Sequence, residues 1–226
     1  MNRAHFHFYQ LGYRRNPFGA LTAAEWAAVA VLPSPVNLLL AVSPQNWQLL
    51  GPMGSGKTTS LLGLEAHFAA LGQRVAYEYL PDGQSRFVTD TAELDLFLLD
   101  EAQRLSGRER RRLLRLVEHG RIRLIISSHE DLSPLFARWR RPLASVWLAT
   151  EISVAHYWAV LERRLAYFAL PDRERVTLAE TAVSFLYDTF GHNMRDAEYF
   201  LYEVWQRQDA PITLDAHHLA AIHHAL

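Results

Sequence analysis

One short segment limits what this 226-residue chain can fold into more than any other. Residues 51–58 read Gly-Pro-Met-Gly-Ser-Gly-Lys-Thr and match G-x-x-x-x-G-K-[ST] at every fixed position. A short strand-like run, Asn46–Leu50, precedes the segment, and a helical run, Thr58–Leu71, follows it and ends at Gly72. A strand, a glycine-rich loop and a helix in this order predict a phosphate-binding loop, or P-loop.

The predicted roles in this loop follow from the chemistry of phosphate binding. Glycines allow backbone N–H groups to turn toward phosphate oxygens, and the helix start adds its partial positive charge. Lys57 is expected to reach the β and γ phosphates, and Thr58 to place its hydroxyl on Mg²⁺. A chance glycine-rich turn is the alternative, but Lys57 is the chain's only lysine, which favours a function. The candidate nucleotide-binding residues are Gly51, Pro52, Met53, Gly54, Ser55, Gly56, Lys57, Thr58 and Thr59.

Two acidic residues follow a continuous apolar run, Leu96–Leu99. Such a run is typical of a buried parallel strand, whose C-terminal end lies at the ligand-binding edge of the sheet. Asp100 is therefore expected to hold Mg²⁺ through water, and Glu101 to polarise the attacking water. The alternative is an exposed turn.

A further strand-like run, Arg123–Ser128, ends in small polar residues. Ser127, Ser128 and His129 are candidates for a contact with the γ-phosphate or the attacking water. Of these three residues, Ser128 is the one that we predict to take part in catalysis. The alternative for all three is that they cap the next helix.

The remaining pattern indicates an α/β core followed by helices. Strands are predicted at Asn46–Leu50, Arg74–Leu80, Asp95–Leu99, Leu124–Ser127 and Val146–Leu148, with helices between them. Alternating strands and helices predict a parallel sheet with helices on both faces. After Ala149 the strand signals stop and four helical runs follow. We therefore expect a nucleotide-binding core over 1–150 and a small all-helical domain over 151–226.

Taken together, these motifs resemble those of the AAA+ ATPases. The resemblance implies the strand order 5-1-4-3-2, a helical lid, and ATP and Mg²⁺ as cofactors. The segment Gly191–Ala197 resembles the second sensor motif, which implies that Arg195 reaches the γ-phosphate. A surface arginine at a helix start is the alternative, although a cation is disfavoured there by the helix dipole.

Other segments resemble parts of the same family. Leu132–Leu148 is similar to the region that supplies an arginine finger to a neighbouring subunit. The candidates for this finger are Arg138, Arg140 and Arg141, and the alternative for each is a solvated surface arginine. The strand end Asp100–Leu105 resembles that of transposition-regulator and ExeA-like secretion ATPases. The N-terminal segment Leu11–Gly19, which contains Pro17-Phe18, is similar to the N-terminal Pro-Phe segment of that group. This resemblance implies that Asn16, Pro17 and Phe18 lie beside the adenine.

The amino-acid composition and net charge of the chain limit which molecules it can bind. The formal charge is −1 and cysteine is absent, so a global positive field and thiolate chemistry are excluded. The predicted helix Arg108–Arg115 nevertheless concentrates arginines, as a patch for double-stranded DNA or as a solvated or intersubunit face. The most apolar stretch, Ala24–Val42, is interrupted by Pro33 and Pro35, and no secretory signal is visible, so we expect a cytoplasmic protein without a membrane partner.

Two functions are consistent with these features. The first is an AAA+ ATPase that couples ATP hydrolysis to homo-oligomer assembly on DNA or a protein partner. The second is a nucleotide-dependent switch or scaffold with little hydrolysis, in a transposition, secretion or signalling complex. A small-molecule kinase is a weaker third, because the Asp-Glu pair and the helical lid favour ATPase chemistry.

Overall fold

The computed structural model describes residues 3–42, 46–118, 120 and 122–225. The helices, numbered along the chain, are α1 (Arg3–Gln10), α2 (Ala23–Val29), α3 (Ser34–Val42), α4 (Lys57–Ala70), α5 (Gly107–Glu118), α6 (Ser133–Arg138), α7 (Val154–Phe168), α8 (Glu180–Phe190), α9 (Met194–Gln206) and α10 (Ala216–His223). The strands are β1 (Asn46–Leu50), β2 (Val75–Tyr79), β3 (Leu96–Asp100), β4 (Arg123–Ser128), β5 (Ala144–Trp147), β6 (Thr177–Leu178) and β7 (Thr213–Leu214). Short 3₁₀ helices follow β3 at Ala102–Arg104 and β5 at Leu148–Glu151.

The chain divides into two compact units. Leu32–Glu151 form the sheet unit, whereas Met1–Val31 and Ile152–Leu226 together form the helical unit. The N-terminal segment was expected to belong to the α/β core, but it packs with the C-terminal helices instead. The reason is apolar burial, because Leu11, Tyr13 and Phe18 lie in the core of the helical unit.

The sheet unit is built on a five-stranded parallel sheet in the order β2-β3-β4-β1-β5. This confirms the expected order 5-1-4-3-2, read from the opposite edge. The predicted strands differ from the observed ones by only one or two residues at their ends. Parallel order matters for function because it brings the C-terminal ends of β1, β3 and β4 to one edge.

Successive residues of the central strands pack on opposite faces of the sheet. Leu96 and Leu98 join a cluster with α3 and α4, while Phe97 and Leu99 join a cluster with α5 and α6. Both faces are therefore covered by helices, which explains why β3 is a continuous apolar run rather than an alternating one.

The helical unit has its own core from α7, α8, α9 and α10, together with the N-terminal segment. It is not all-helical as expected, because β6 and β7 pair as a short parallel ribbon. Each of these strands has only two residues, which is too short for an alternation pattern to reveal.

Among the described residues, no single helix is long and apolar enough to span a membrane. The bent pair of α2 and α3 reaches the necessary length and composition only when both are taken together.

A buried arginine attaches the N-terminal segment to the helical unit. Arg164, on α7, donates hydrogen bonds to the carbonyls of Pro17 at 2.6 Å and Gly19 at 2.9 Å. Its guanidinium also pairs with Glu198 of α9 at 2.5 Å, and only 4% of the Arg164 side chain is exposed. Asn16 adds a bond from its Nδ2 to the carbonyl of Tyr202, at 3.0 Å. These contacts fix residues 16–19 against α7 and α9.

Replacing Arg164 with methionine would leave the Glu198 carboxylate without its guanidinium partner. We expect the free energy of unfolding in urea to fall by about 3–5 kcal/mol, as for other buried pairs that lose one partner. Burial raises the pKa of Glu198, and the positive charge of Arg164 opposes that rise. The loss should therefore be smaller below the ordinary carboxyl pKa of 4.5 and grow as the pH rises above it.

Arg163→Met is the matched control, because Arg163 precedes Arg164 on α7 and is exposed. We expect a change of roughly 0.5 kcal/mol or less for this variant. Equal losses for the two variants would contradict a special role for Arg164.

Candidate functional site

The P-loop connects β1 to α4 at the C-terminal edge of the sheet. Its backbone favours glycine at Gly54 and Gly56, whose φ values are 81° and 82°. Gly56 is also the N-cap of α4, so the loop leads into a helix start whose first N–H groups lack intrahelical acceptors. Of the other predicted nucleotide-binding residues, Met53 is exposed on the loop and Ser55 donates to the Pro52 carbonyl. Thr59 lies in the first turn of α4.

Lys57 is buried and lies across this loop. Its Nζ donates to the carbonyls of Gly51 at 2.8 Å and Pro52 at 2.9 Å. The same nitrogen lies 3.5 Å from Nε2 of His129, at the end of β4. A ligand phosphate would therefore have to draw the ammonium group away from these protein atoms.

Asp100 lies at the end of β3 and is completely buried. Its Oδ2 accepts hydrogen bonds from the hydroxyls of Thr58 at 2.7 Å and Tyr77 at 3.0 Å. Its Oδ1 accepts a short hydrogen bond from Ser127. Three hydroxyls from α4, β2 and β4 therefore satisfy a carboxylate that would otherwise be costly to bury.

Glu101, the next residue, turns away from the strand with φ at 64°. Its Oε2 accepts from Gln103 Nε2 at 2.6 Å and lies 3.6 Å from the guanidinium of Arg104. Its Oε1 lies 3.3 Å from His129 Nε2. The backbone N–H of Glu101 donates to Ser127 Oγ at 3.0 Å. Ser127 therefore holds both acidic residues in place.

The three candidates at the end of β4 occupy different environments. Ser127 contacts Asp100, and His129 lies between Lys57 and Glu101. Ser128 instead bonds locally, because its hydroxyl donates to the Glu130 carbonyl at 2.6 Å and accepts from the Glu130 N–H at 2.9 Å. These bonds close a local turn and do not cap α6, whose N-cap is Leu132, so both the catalytic role of Ser128 and its alternative as a helix cap lack a supporting contact and the catalytic role stays a prediction.

The sheet unit thus brings together Lys57, Thr58, Asp100, Glu101 and His129. The other predicted nucleotide contacts belong to the helical unit. Asn16, Pro17 and Phe18 are held there by the bonds described above, and Arg195 is exposed as the second residue of α9. Asn193 caps that helix by accepting from the N–H of Asp196 at 3.4 Å. Their roles toward a nucleotide stay predictions.

The arginine-finger candidates differ in how they are held. Arg138 is exposed at the end of α6 and has no hydrogen-bond or ion-pair partner among the residues that the structure describes. Arg141 is half-buried and donates a short hydrogen bond to the carbonyl of Glu118, at the end of α5. Arg140 is exposed as well, and among the described residues no bond engages its guanidinium, so Arg138 and Arg140 can contact another molecule without losing an internal side-chain bond, whereas Arg141 cannot.

The arginines of α5 fall into two groups. Arg110 bonds the carbonyls of Gln103 and Leu105, and Arg112 pairs with Glu109 and stacks 4.0 Å from the ring centre of Phe87. Arg108, Arg111 and Arg115 are exposed, and within the described part of the chain no bond or ion pair engages their guanidinium groups. Their spacing puts them on one helix face, opposite the buried residues Leu113, Leu114 and Val117.

Two residues of the site, Tyr77 and Gln103, were not predicted from the sequence. Tyr77 lies in the middle of β2, and nothing in its neighbourhood in the sequence indicates that its hydroxyl reaches Asp100. Gln103 bridges the site by donating to Glu101 and accepting from the His129 N–H at 3.4 Å. Its position two residues after Glu101 was visible in the sequence, but its role was not.

Comparison with protein-family models gives no match, and comparison with curated proteins gives none either. Solved structures do match. DnaA from Aquifex aeolicus bound to AMPPCP is 19% identical, with a TM-score of 0.51 over 75% of this chain and 59% of that one. NtrX from Brucella abortus in complex with ADP is 15% identical, with a TM-score of 0.54 over 84% and 55%.

A third match is the replication initiator DnaA bound to AMPPCP and single-stranded DNA, which is 20% identical with a TM-score of 0.51 over 76% and 59%. The chain therefore spans less than two thirds of the length of each of these proteins. At such identities the likeness concerns the fold alone, and it confirms the predicted fold class, a parallel P-loop α/β sheet with a helical part. The narrower resemblance to transposition regulators and ExeA-like ATPases is not confirmed.

Proposed function

We propose that this protein binds ATP and hydrolyses it with Mg²⁺. The observation that carries the proposal is the 2.7 Å hydrogen bond between Thr58, in the first turn after the P-loop, and Asp100. It joins the phosphate-binding loop to the acidic strand end, which is the arrangement that P-loop chemistry requires. The solved structures that share the fold were determined with AMPPCP, ADP or ATP, which supports a nucleotide ligand.

The residues present fit a magnesium ion. Mg²⁺ prefers oxygen ligands and keeps several waters, and the Thr58 hydroxyl and Asp100 carboxylate offer such oxygens at the loop. Thr58 would bind the ion directly and Asp100 through water. When bound, the ion would neutralise charge on the phosphates.

The protein's own groups suggest how a nucleotide would be handled. Lys57 would exchange the carbonyls of Gly51 and Pro52 for phosphate oxygens. Glu101 would orient the attacking water and accept its proton, after exchanging at least one of its bonds to Gln103 and His129. Ser128, Arg195 and the segment Asn16–Phe18 would contact the γ-phosphate and adenine as the family resemblance implies.

Lys57→Ala and Glu101→Gln separate binding from hydrolysis. Lys57→Ala should weaken ATP binding about 10- to 100-fold, as expected for the loss of a charged hydrogen-bond donor. Glu101→Gln should bind ATP but lower kcat about 10²- to 10⁴-fold, because the general base is lost. Isothermal titration and phosphate release measure the two quantities. Hydrolysis by Glu101→Gln at the wild-type rate would rule out the assigned role of Glu101.

We further propose that the protein forms a homo-oligomer in which Arg138 completes the neighbouring site. Arg138 suits this role better than Arg141, whose guanidinium is already engaged. The assembly would lie in the cytoplasm and act on DNA or a protein partner, as in the transposition-regulator group.

Mixing two inactive variants tests this arrangement. Arg138→Ala should lower turnover about 10³- to 10⁵-fold, as for other arginine fingers. A mixture of Arg138→Ala with Glu101→Gln should hydrolyse ATP faster than either alone, because some interfaces then combine an intact Glu101 with an intact Arg138. A mixture no faster than its components would argue against a finger supplied by a neighbour.

The exposed arginines of α5 make double-stranded DNA the proposed partner of that helix. Arg108, Arg111 and Arg115 together offer a positive face whose binding would be independent of sequence and sensitive to salt. One of the solved structures with this fold, a replication initiator, is bound to single-stranded DNA, which supports nucleic acid as a partner class.

Replacing these three arginines with glutamine should weaken DNA binding and lower the slope of log affinity against log salt by about 3, roughly one for each phosphate contact. Arg86, Arg173 and Arg207 are also exposed, so a triple glutamine variant at these positions is a control with the same net charge. Fluorescence anisotropy at several salt concentrations measures both. If the control reduced the slope equally, binding would reflect net charge and not α5.

A nucleotide-dependent switch with little hydrolysis is the second candidate. It is favoured by the engagement of Glu101, whose two carboxylate oxygens already have protein partners. ATP-dependent partner binding by a wild-type protein that releases no phosphate, with or without DNA, would support this function over the first.

A further inference from the structure

The mechanism proposed above gives no task to Gln103, although its side chain touches the proposed base. The amide Nε2 of Gln103 donates to Glu101 Oε2 at 2.6 Å. The amide oxygen accepts from the backbone N–H of His129 at 3.4 Å. One side chain therefore joins the proposed base, which follows β3, to the residue that follows β4.

The two carboxylate oxygens of Glu101 have different surroundings. Oε1 lies 3.3 Å from His129 Nε2, and that nitrogen lies 3.5 Å from Lys57 Nζ, so Oε1 is on the side of the P-loop. Oε2 is turned instead to Gln103. Oε1 is therefore the oxygen suited to accept a proton from the attacking water, and Oε2 is the one by which the side chain is held.

The backbone that carries Gln103 is itself held in place. The residue lies in the 3₁₀ turn Ala102–Arg104, which is closed by a bond from the Leu105 N–H to the Ala102 carbonyl at 3.2 Å. Ala102 and Leu105 are buried in the apolar cluster beneath α5. The carbonyl of Gln103 accepts from the Arg110 guanidinium at 2.6 Å, which attaches the turn to α5. The amide therefore approaches the carboxylate from a fixed position and can restrict its orientation.

Arg104 also lies near Oε2, but its hydrogen bonds go elsewhere. Its guanidinium donates to the Leu80 carbonyl at 2.5 Å and to the Tyr79 hydroxyl at 3.2 Å. The 3.6 Å between this guanidinium and Glu101 Oε2 exceeds hydrogen-bond distance. Arg104 thus adds positive charge near the carboxylate, whereas Gln103 supplies the directed bond.

We propose that Gln103 is a positioning residue for the proposed base, which retains Oε2 of Glu101 while Oε1 exchanges His129 for the attacking water. The bond to His129 is the one that yields, because it is longer and its Nε2 also lies within reach of Lys57. Holding one oxygen matters because a misplacement of about 1 Å can cost about 10²-fold in rate. This inference rests on the proposed ATP hydrolysis.

Gln103→Met tests the inference, because methionine has nearly the same length but lacks the amide donor. We expect kcat, measured by phosphate release, to fall about 10- to 100-fold. The affinity for a fluorescent non-hydrolysable ATP analogue should be unchanged, since the described side-chain bonds of Gln103 go to Glu101 and His129 and not to the P-loop. A loss in kcat without a loss in binding is the result expected for a residue that acts on the base.

Combining this change with Glu101→Gln distinguishes positioning from general disturbance. Once the carboxylate is absent, Gln103 has no base to position, so the double variant should hydrolyse ATP in a single turnover as fast as Glu101→Gln alone. Gln84→Met is the matched control. Gln84 is also half-buried in the sheet unit, but its amide bonds the Arg86 carbonyl at 2.9 Å. It should leave both kcat and the affinity for the analogue unchanged.

The outcomes separate the inference from the function on which it rests. A wild-type protein that releases no phosphate would overturn the proposed hydrolysis and this inference with it. Hydrolysis by the wild type, with an unchanged or raised kcat in Gln103→Met, would overturn only the role of Gln103. A further loss in the double variant would also overturn that role, because Gln103 would then act on something other than the Glu101 carboxylate.

Discussion

The hydrogen bonding of one buried carboxylate holds the sheet unit's functional edge together. Asp100 has no exposed surface, and an ionised carboxylate removed from water is stable only when its oxygens accept hydrogen bonds. The donors come from α4, β2 and β4, which are distant in sequence. Satisfying Asp100 therefore fixes the start of the P-loop helix and the two strands beside β3 in one arrangement.

The parts of this site that the sequence predicted are those in which chemistry demands particular residues at fixed spacing. The P-loop and the acidic strand end belong to this class, and the continuous apolar run before Asp100 indicated a buried parallel strand. Tyr77 could not be predicted, because its contact depends on the pairing of β2 with β3 and on the direction of one side chain. Ser127 and Ser128 are adjacent, and only the strand's register decides which of them faces Asp100.

The N-terminal segment shows a second limit of local patterns. Its Pro-Phe motif was recognised, but the segment was assigned to the wrong unit. The contacts that place it join Arg164 to Pro17 across 147 positions, and Asn16 to Tyr202 across 186. A buried arginine that bonds two backbone carbonyls requires no recognisable partner sequence, because every residue has a carbonyl.

Lys57 and Glu101 are both satisfied by protein atoms in this arrangement, and His129 lies within 3.5 Å of both. A neutral imidazole nitrogen either donates or accepts, so Nε2 cannot donate to Glu101 and accept from Lys57 at the same time. Transfer of Lys57 to a phosphate would remove the competing donor and leave Nε2 available to donate to Glu101. The site is thus arranged so that the occupant of the P-loop affects the partners of the proposed base. The proposed switch would use this connection to report the occupant of the P-loop. The proposed hydrolysis would in addition need Glu101 to give up a bond to His129 or Gln103 and turn toward water.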